Sequence, residues 1–313
     1  MNVLITGATG FLGKYIIEEL INKDICIVAL VRDTTKPPNT WDNVKIINGD
    51  INDDLTVLLK GVKIDCIIHN AAKTPGADFN TASKKELKND FFNVNKKGTE
   101  SMVLLGEKLK INHFIFVSSH GVLESYRKDF YVESKRHAET IVENSSLNWT
   151  IIRPSGIYGI TNYWVEQILH YKKIRCVKIY GNGVNTQQYV YAKDVAIAIK
   201  KIMQLPVCYN KHYELAGSVK FTVNEYYSIV KKTLKTQFVL CHIPLFIPKI
   251  ITFILCGIYP GLKTKMKNIL IASTSLKYDN QRAIEDFNYS PSSFKEGFAD
   301  MMKQINNHKK INY

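Results

Sequence analysis

The chain has 313 residues, 45% of them hydrophobic and 22% charged, with a formal net charge of +14. That is the make-up of a soluble globular protein large enough for one big domain or two unequal ones. The positive balance suits an anionic ligand or a membrane surface, although a lysine-rich proteome gives the same figure. The lysines are spread out and no recognition motif accompanies them, so nucleic acid is excluded as an expected partner. Cys26, Cys66, Cys176, Cys208, Cys241 and Cys256 form no CxxC pair and no His/Cys cluster. A reduced cytosolic protein is expected, with neither a disulfide framework nor a metal site. The first residues run straight into a strand pattern, so no signal peptide is expected.

Val3 to Ile5 form a short apolar run fit for a buried strand, and Gly7, Gly10 and Gly13 follow at a spacing of three. Tyr15 to Ile21 then reads as a helix with one apolar face. Strand, glycine turn and helix in this order are the signature of dinucleotide binding. Gly7 permits a tight turn, Gly10 lets a pyrophosphate approach, and Gly13 lets the helix lie close to the strand. The helix start offers free N–H groups to the phosphates. The alternative is a tight βα turn with no ligand.

Ile25 to Val31 is continuously apolar, as in a parallel strand buried on both faces, and Arg32 and Asp33 follow it. A loop with Pro37 and Pro38 precedes a strand over 44–47 and a short helix over 54–59. A strand over 64–69 leads to Asn70, Ala71 and Ala72, and a long helix covers 91–109. The next strand, 114–117, ends at Ser118 and Ser119; a helix over 130–144 and a strand over 150–152 follow. This alternation predicts an α/β fold with a doubly wound parallel (Rossmann) sheet, whose ligands sit beyond the carboxyl ends of the strands. After Pro154 the pattern loosens into helices over 163–173, 195–205 and 223–234, with strands over 177–180 and 213–216. Residues 1–157 are expected to form the dinucleotide domain, with 186–205 returning to it, and 158–313 a smaller, mainly substrate-binding α/β lobe.

Tyr131 and Lys135 lie four apart on a predicted helix and so share a face. A phenol titrates near 10, too high for efficient proton transfer at neutrality. A nearby ammonium together with an oxidised nicotinamide would lower it, and Tyr131 could then exchange a proton with a substrate oxygen held by Ser119. Lys135 would also reach the nicotinamide ribose. The alternative is an amphipathic surface pair.

At this point the chain resembles an extended short-chain dehydrogenase/reductase of the NAD-dependent epimerase/dehydratase group. The similarity rests on TGATGFLG at 6–13, GDI at 49–51, HNAA at 69–72, NVNKKGT at 93–99, VSS at 117–119, YVESK at 131–135, IIRPSGIYG at 151–159, YVYAKDVA at 189–196 and the closing segment 278–301. It implies catalysis by Ser119, Tyr131 and Lys135, bound NAD or NADP, an activated-sugar substrate and often a homodimer. For the cofactor it implies Gly7, Gly10, Phe11, Leu12 and Gly13 in the opening turn, and Asp50 and Ile51 at the adenine. Ala71, Ala72 and Lys73 would lie on the diphosphate side, Asn95 would brace the site, and Tyr131, Lys135, Pro154 and Ile157 would meet the nicotinamide half. Where NAD-specific relatives carry an acidic residue this chain has Val31 followed by Arg32, whose guanidinium suits the 2′-phosphate of NADP. Asp33 could still turn to a ribose.

The sequence departs from the sugar-nucleotide pattern in several places. Tyr131 lies only twelve residues beyond Ser119. Gln187 stands where an arginine usually grips the diphosphate, and Lys263, Lys265 and Lys267 stand near a second missing arginine. His120, Gly121 and Glu124 replace the Asp–Glu pair of a dehydratase. The most apolar stretch, 242–260, is interrupted by Pro244, Lys249 and Pro260, and its core at 250–259 is half the ~20 residues needed to span a bilayer. It reads as a core helix of the substrate lobe, or as an apolar surface facing a lipid-linked substrate or making peripheral contact with a membrane. The favoured function is hydride transfer at a sugar carbon, C4, of a nucleotide- or polyprenyl-diphosphate-linked hexose, by a 4-epimerase or 4-ketoreductase. The alternatives are a dehydrogenase of a sterol-like alcohol and a non-catalytic NADP-binding regulator.

Overall fold

A computed structural model of the chain describes residues 1–21, 24–33, 41, 43–75, 84–255, 266, 269–270 and 273–311. Pro37, Pro38, the 256–260 part of the apolar stretch, and Lys263, Lys265 and Lys267 lie outside the described residues. The chain divides into two compact units. Unit 1 is Met1–Ile157, Ala192–Ala216 and Asp279–Ser290; unit 2 is Tyr158–Tyr191, Gly217–Tyr278 and Pro291–Tyr313. Unit 1 thus takes in 192–216 and 279–290, where the sequence reading returned 186–205 alone.

Unit 1 begins with β1 (Asn2–Thr6), α1 (Phe11–Leu20), β2 (Cys26–Val31), β3 (Val44–Asn48), α2 (Leu55–Leu58) and β4 (Cys66–His69). It continues through α3 (Lys84–Phe91), a π-helical turn (Phe92–Lys97), α4 (Gly98–Leu109), β5 (His113–Val117), α5 (Phe130–Glu143) and β6 (Trp149–Pro154). After β7 (Ile157–Tyr158), unit 2 adds α6 (Asn162–Lys173), β8 (Cys176–Tyr180), β9 (Thr186–Gln187) and β10 (Val190–Tyr191). The chain returns to unit 1 for α7 (Ala192–Ile202) and β11 (Lys211–Leu215), and to unit 2 for β12 (Phe221–Thr222), α8 (Val223–Leu234), β13 (Val239–Ile243) and α9 (Phe246–Leu255). Two helices close it: α10 (Gln281–Phe287) in unit 1 and α11 (Phe294–Ile311) in unit 2.

The strands of unit 1 form one seven-stranded sheet in the order β3-β2-β1-β4-β5-β6-β11, every neighbouring pair parallel. The order 3-2-1-4-5-6 is that of doubly wound dinucleotide folds. Because side chains alternate across a strand, Leu4, Val28, Ile67, Phe114 and Ile151 share one face, in a core with α2, α4 and α5. Their neighbours Val3, Ile5, Ile27, Ile68 and Ile115 are equally buried and point the other way, the side on which α1 packs with α7. The continuous apolar runs of β1, β2 and β5 are therefore required by helices on both faces. The predicted helix over 91–109 is broken at its start by the π-helical turn, a rare insertion that displaces the residues it carries.

In unit 2, β8 lies beside β13 in parallel and β9 beside β12 antiparallel. Two sequence expectations fail here. Cys176 and Cys241 are joined as a disulfide, their Cα atoms 6.4 Å apart. The adjacent parallel strands set Cys176 opposite Val239 and Cys241 opposite Lys178, a proximity that spacing over 65 residues could not reveal. And of the two readings of the apolar stretch the core helix fails, for none of the residues of α9 is buried. Phe253 is 85% exposed and Ile254 66%.

The opening turn explains its glycines. Gly7 has φ +66°, and a Cβ there would fall within 2.7 Å of the Ala71 backbone nitrogen. A Cβ on Gly13 would strike the Gly7 and Ala8 carbonyl oxygens. Gly13→Ala is therefore expected to destabilise unit 1 by about 1–3 kcal/mol through overpacking, seen as a lowered midpoint in chemical denaturation.

Candidate active site

The turn after β1 faces the end of β4, its parallel neighbour. Gly10 N–H donates to the Gly7 carbonyl (3.0 Å), and Asn70 Nδ2 donates to the same oxygen (3.2 Å). Gly10 is the N-cap of α1, with no side-chain cap and no acidic residue in the first turn. Phe11, Leu12 and Gly13 supply that turn. An uncapped helix start behind a glycine cradle fits a diphosphate, and the residues present fit the dinucleotide expected from the sequence.

A buried polar chain runs from this turn to α5. Thr99 Oγ1 donates to the Asn95 carbonyl (2.6 Å), so it accepts from His69 Nε2 (3.0 Å). His69 Nδ1 is then the acceptor for the Thr6 hydroxyl (2.7 Å), which itself accepts from the Ala71 N–H (3.1 Å). The Asn95 side chain takes both backbone groups of Lys73, accepting from its N–H (2.8 Å) and donating to its carbonyl (3.0 Å), and donates to Ser134 Oγ (2.9 Å). Ser134 donates to the Tyr131 carbonyl (2.8 Å). Burial pushes His69 down to about 3, with the Lys135 charge adding to the effect, so His69 is neutral in the folded protein. Thr6, His69, Thr99 and Ser134 were not named as site residues from the sequence. Their signal was polarity inside or beside apolar runs that periodicity assigns to the core.

Ser119 follows β5 by one residue, and its Oγ accepts from Gly121 N–H (3.2 Å). Tyr131 stands in the first turn of α5, which Asp129 caps by accepting from Val132 N–H. Its phenol is half-buried, with Ser119 near enough to act on it. Burial raises the phenol above its ordinary value, while Ser119 and the Arg127 charge pull the other way.

Lys135 turns its ammonium to the end of β5. Its Nζ donates to the Val117 carbonyl (2.7 Å) and lies 4.2 Å from the centre of the Phe116 ring. It is 1% exposed, and burial brings it down to about 7, with Glu139 one turn on opposing the fall. The groups acting on Tyr131 are Ser119, Arg127 and Asp129. Glu139 in turn is gripped by Arg153 through two bonds of 3.0 and 2.7 Å. Glu139, Glu143 and His212 come close together, but Arg153 occupies the first and His212 Nε2 meets Glu143 at 2.6 Å.

Arg32 is 77% exposed at the end of β2, 3.8 Å from Asp50. Asp50 accepts from the backbone and side chain of Asn52 (both 3.0 Å). Ile51 is buried under α4, where Gly98 leaves room for it. Ala72 and Lys73 follow β4, and Lys73 Nζ reaches Asp90 at 4.0 Å. Pro154 ends β6 opposite Leu215, and Ile157 follows three residues on. His120, beside Ser119, is held between Glu124 (3.6 Å) and Glu214 (3.2 Å). In unit 2, Gln187 lies on β9 opposite Phe221.

A parallel sheet in Rossmann order, entered through a glycine turn, defines an α/β dinucleotide-type fold. The model of the NAD dependent epimerase/dehydratase family matches residues 3–216. The chain belongs to that family, and it is an NAD-dependent enzyme of the oxidoreductase type. It is 24% identical over 257 residues to the photosystem II assembly factor Ycf39 of Trieres chinensis, covering 80% of this chain and 75% of that protein. It is 29% identical over 225 residues to 3 beta-hydroxysteroid dehydrogenase/Delta 5-->4-isomerase of vaccinia virus, covering 59% of this chain and 62% of that one. Among solved structures, UDP-glucuronic acid 4-epimerase from Bacillus cereus in complex with NAD superposes with a TM-score of 0.72 at 19% identity, over 97% of this chain and 99% of its own. Among the described residues no helix is long and apolar enough to cross a membrane.

Two outcomes follow from the polar chain. Asn95→Ala leaves the Lys73 backbone and Ser134 without their buried partner and is expected to cost about 2–4 kcal/mol in urea unfolding. Because the folded pKa of His69 lies below the unfolded one, its contribution is complete above about pH 6.5 and is lost as pH falls toward about 3. His69→Gln should flatten that part of the stability–pH curve.

Proposed function

We propose that the protein transfers hydride at C4 of a hexose carried on a nucleotide or polyprenyl diphosphate, as a 4-ketoreductase or a 4-epimerase. The observation that carries the reading is Ser119 set near enough to the Tyr131 phenol to act on it, just beyond the end of β5, in the unit that opens with the glycine turn. The Bacillus cereus relative, named for UDP-glucuronic acid and bound to NAD, supports a sugar-nucleotide substrate. The dinucleotide, when bound, supplies the hydride or takes it up. Gly7, Gly10, Phe11, Leu12 and Gly13 receive its diphosphate, with Ala71, Ala72 and Lys73 alongside. Asp50 and Ile51 meet the adenine, and Pro154 and Ile157 the nicotinamide.

Tyr131 is the acid/base and Ser119 holds the substrate oxygen. A phenol held above its ordinary pKa by burial is a donor first, which favours protonating the oxygen of a ketone as it is reduced. Lys135 stands behind this pair, hydrogen-bonded to Val117, and bonds the nicotinamide ribose. NADP is preferred to NAD, because the exposed Arg32 guanidinium is tied only loosely to Asp50 and can meet a 2′-phosphate. Dehydration is not proposed, since His120 occupies the place of the expected acid. A homodimer is the proposed assembly, with Leu104 on α4, 60% exposed, as an apolar contact open to it.

A second reading, dehydrogenation of a sterol-like or other hydrophobic alcohol, is favoured by the exposed apolar side chains of α9, among them Phe246, Ile250, Phe253 and Ile254. The name of the vaccinia relative agrees with it. The same helix supports peripheral contact with a membrane.

The test begins with mass spectrometry for retained nicotinamide and parallel titrations of NADPH and NADH. A reductase should bind NADPH ahead of NADH, and Arg32→Ala should weaken NADPH about tenfold while sparing NADH. Tyr131→Phe should lower kcat on 4-keto sugars about 100-fold or more in a protein that still binds the cofactor. Turnover of hydrophobic ketones alone would favour the second reading. Cofactor binding without any turnover would favour a regulator.

A further inference from the structure

We propose that unit 2 carries a separate site for an amphipathic anion, a phosphate or carboxylate head on a short apolar body, in the groove between α8 and the start of α11. The groove is a cavity of about 450 Å³, within the range of small-molecule sites. It is built from one face of α8, since Glu225, Ser228, Ile229, Lys232 and Thr233 recur at helical spacing. The opposing wall is the 219–221 segment and Ser293 to Lys295.

Its floor is apolar and fixed. Phe221 and Phe294 are 6% and 2% exposed, with ring centres 5.0 Å apart. Its rim is cationic, with Lys220, Lys232 and Lys295 all exposed on the lining. Among the described residues these three ammonium groups have no hydrogen-bond or ion-pair partner, although Lys295 acts on Glu296 through space.

The one carboxylate in the lining does not neutralise them. Glu225 accepts from the Thr222 N–H (2.7 Å) and hydroxyl (3.0 Å), closing a capping box at the start of α8. Ser293 is spent in the same way, donating to Glu296 from its N–H (2.9 Å) and its hydroxyl (2.7 Å) at the start of α11. Both helix starts are thus closed by their own side chains, and the attraction for an anion comes from the lysines. Ser228 and Thr233 add hydroxyls beside Lys232 that can bond an anionic head. Three ammonium groups over an apolar floor recognise a head and a body together. Inorganic phosphate would leave the floor wet, and a neutral alcohol would leave the lysines unpaired.

The test is calorimetric titration of the full-length protein with octyl phosphate, octanoate, octanol and inorganic phosphate. Octyl phosphate or octanoate should bind at least about tenfold more tightly than octanol or inorganic phosphate. Whichever of the two binds more tightly identifies the head group. Replacing the exposed lysines together (Lys220→Gln, Lys232→Gln, Lys295→Gln) should weaken binding about tenfold without changing the melting curve. Ser228→Trp, which fills the groove from an exposed position, should abolish it. Saturating NADPH should not displace the ligand, because the cofactor turn belongs to unit 1. Equal binding of octanol, no binding at about 1 mM, displacement by NADPH, or unchanged affinity in the triple variant would each overturn the proposal.

Discussion

The candidate site depends on a buried histidine that desolvation holds neutral. His69 sits at the end of the strand beside β1, with Thr6 on one ring nitrogen and Thr99 on the other. Each bond fixes the direction of the next, and the chain continues through Asn95 to the backbone of Lys73 and the first turns of α5. The strand ends that form the glycine turn are thereby tied to the helix that carries Tyr131 and Lys135. A buried polar chain of this kind is stable only when every member is satisfied. Its neutral imidazole is the form that one donor and one acceptor satisfy.

Close approach of backbones is the second constraint. Gly7 adopts a positive φ and lies against Ala71, and Gly13 lies against the Gly7 carbonyl. Further on, Gly98 opens α4 for Ile51, one residue after the aspartate that faces Arg32. These absent side chains bring the ends of β1, β4 and α1 together. The uncapped start of α1 is consequently left facing the crevice at the carboxyl ends of the strands.

Electrostatics at the end of β5 is set by desolvation more than by charge pairing. Burial moves Tyr131 up and Lys135 down, so each favours its neutral form. Glu139 supports the lysine charge from one turn away, yet Arg153 already holds both oxygens of that carboxylate. The arrangement is a network in which no group acts on its neighbour alone.

The order of strands and helices in unit 1 was legible from the sequence because the sheet is buried on both faces and its strands are almost wholly apolar. The glycine turn was legible because only glycine tolerates that conformation and that proximity. That Tyr131 and Lys135 share a helix and that Ser119 follows a strand was legible from helical spacing and from the end of an apolar run. The tertiary structure decided what depends on distant segments meeting. It aimed the Lys135 ammonium at Val117, inserted a π-helical turn before α4, and joined Cys176 to Cys241 across two strands 65 residues apart. It also left α9 exposed, where its apolar sequence suited a core equally well. Periodicity records which faces of an element are apolar. It carries no record of which segment covers them, or of where a long side chain finds its hydrogen bond.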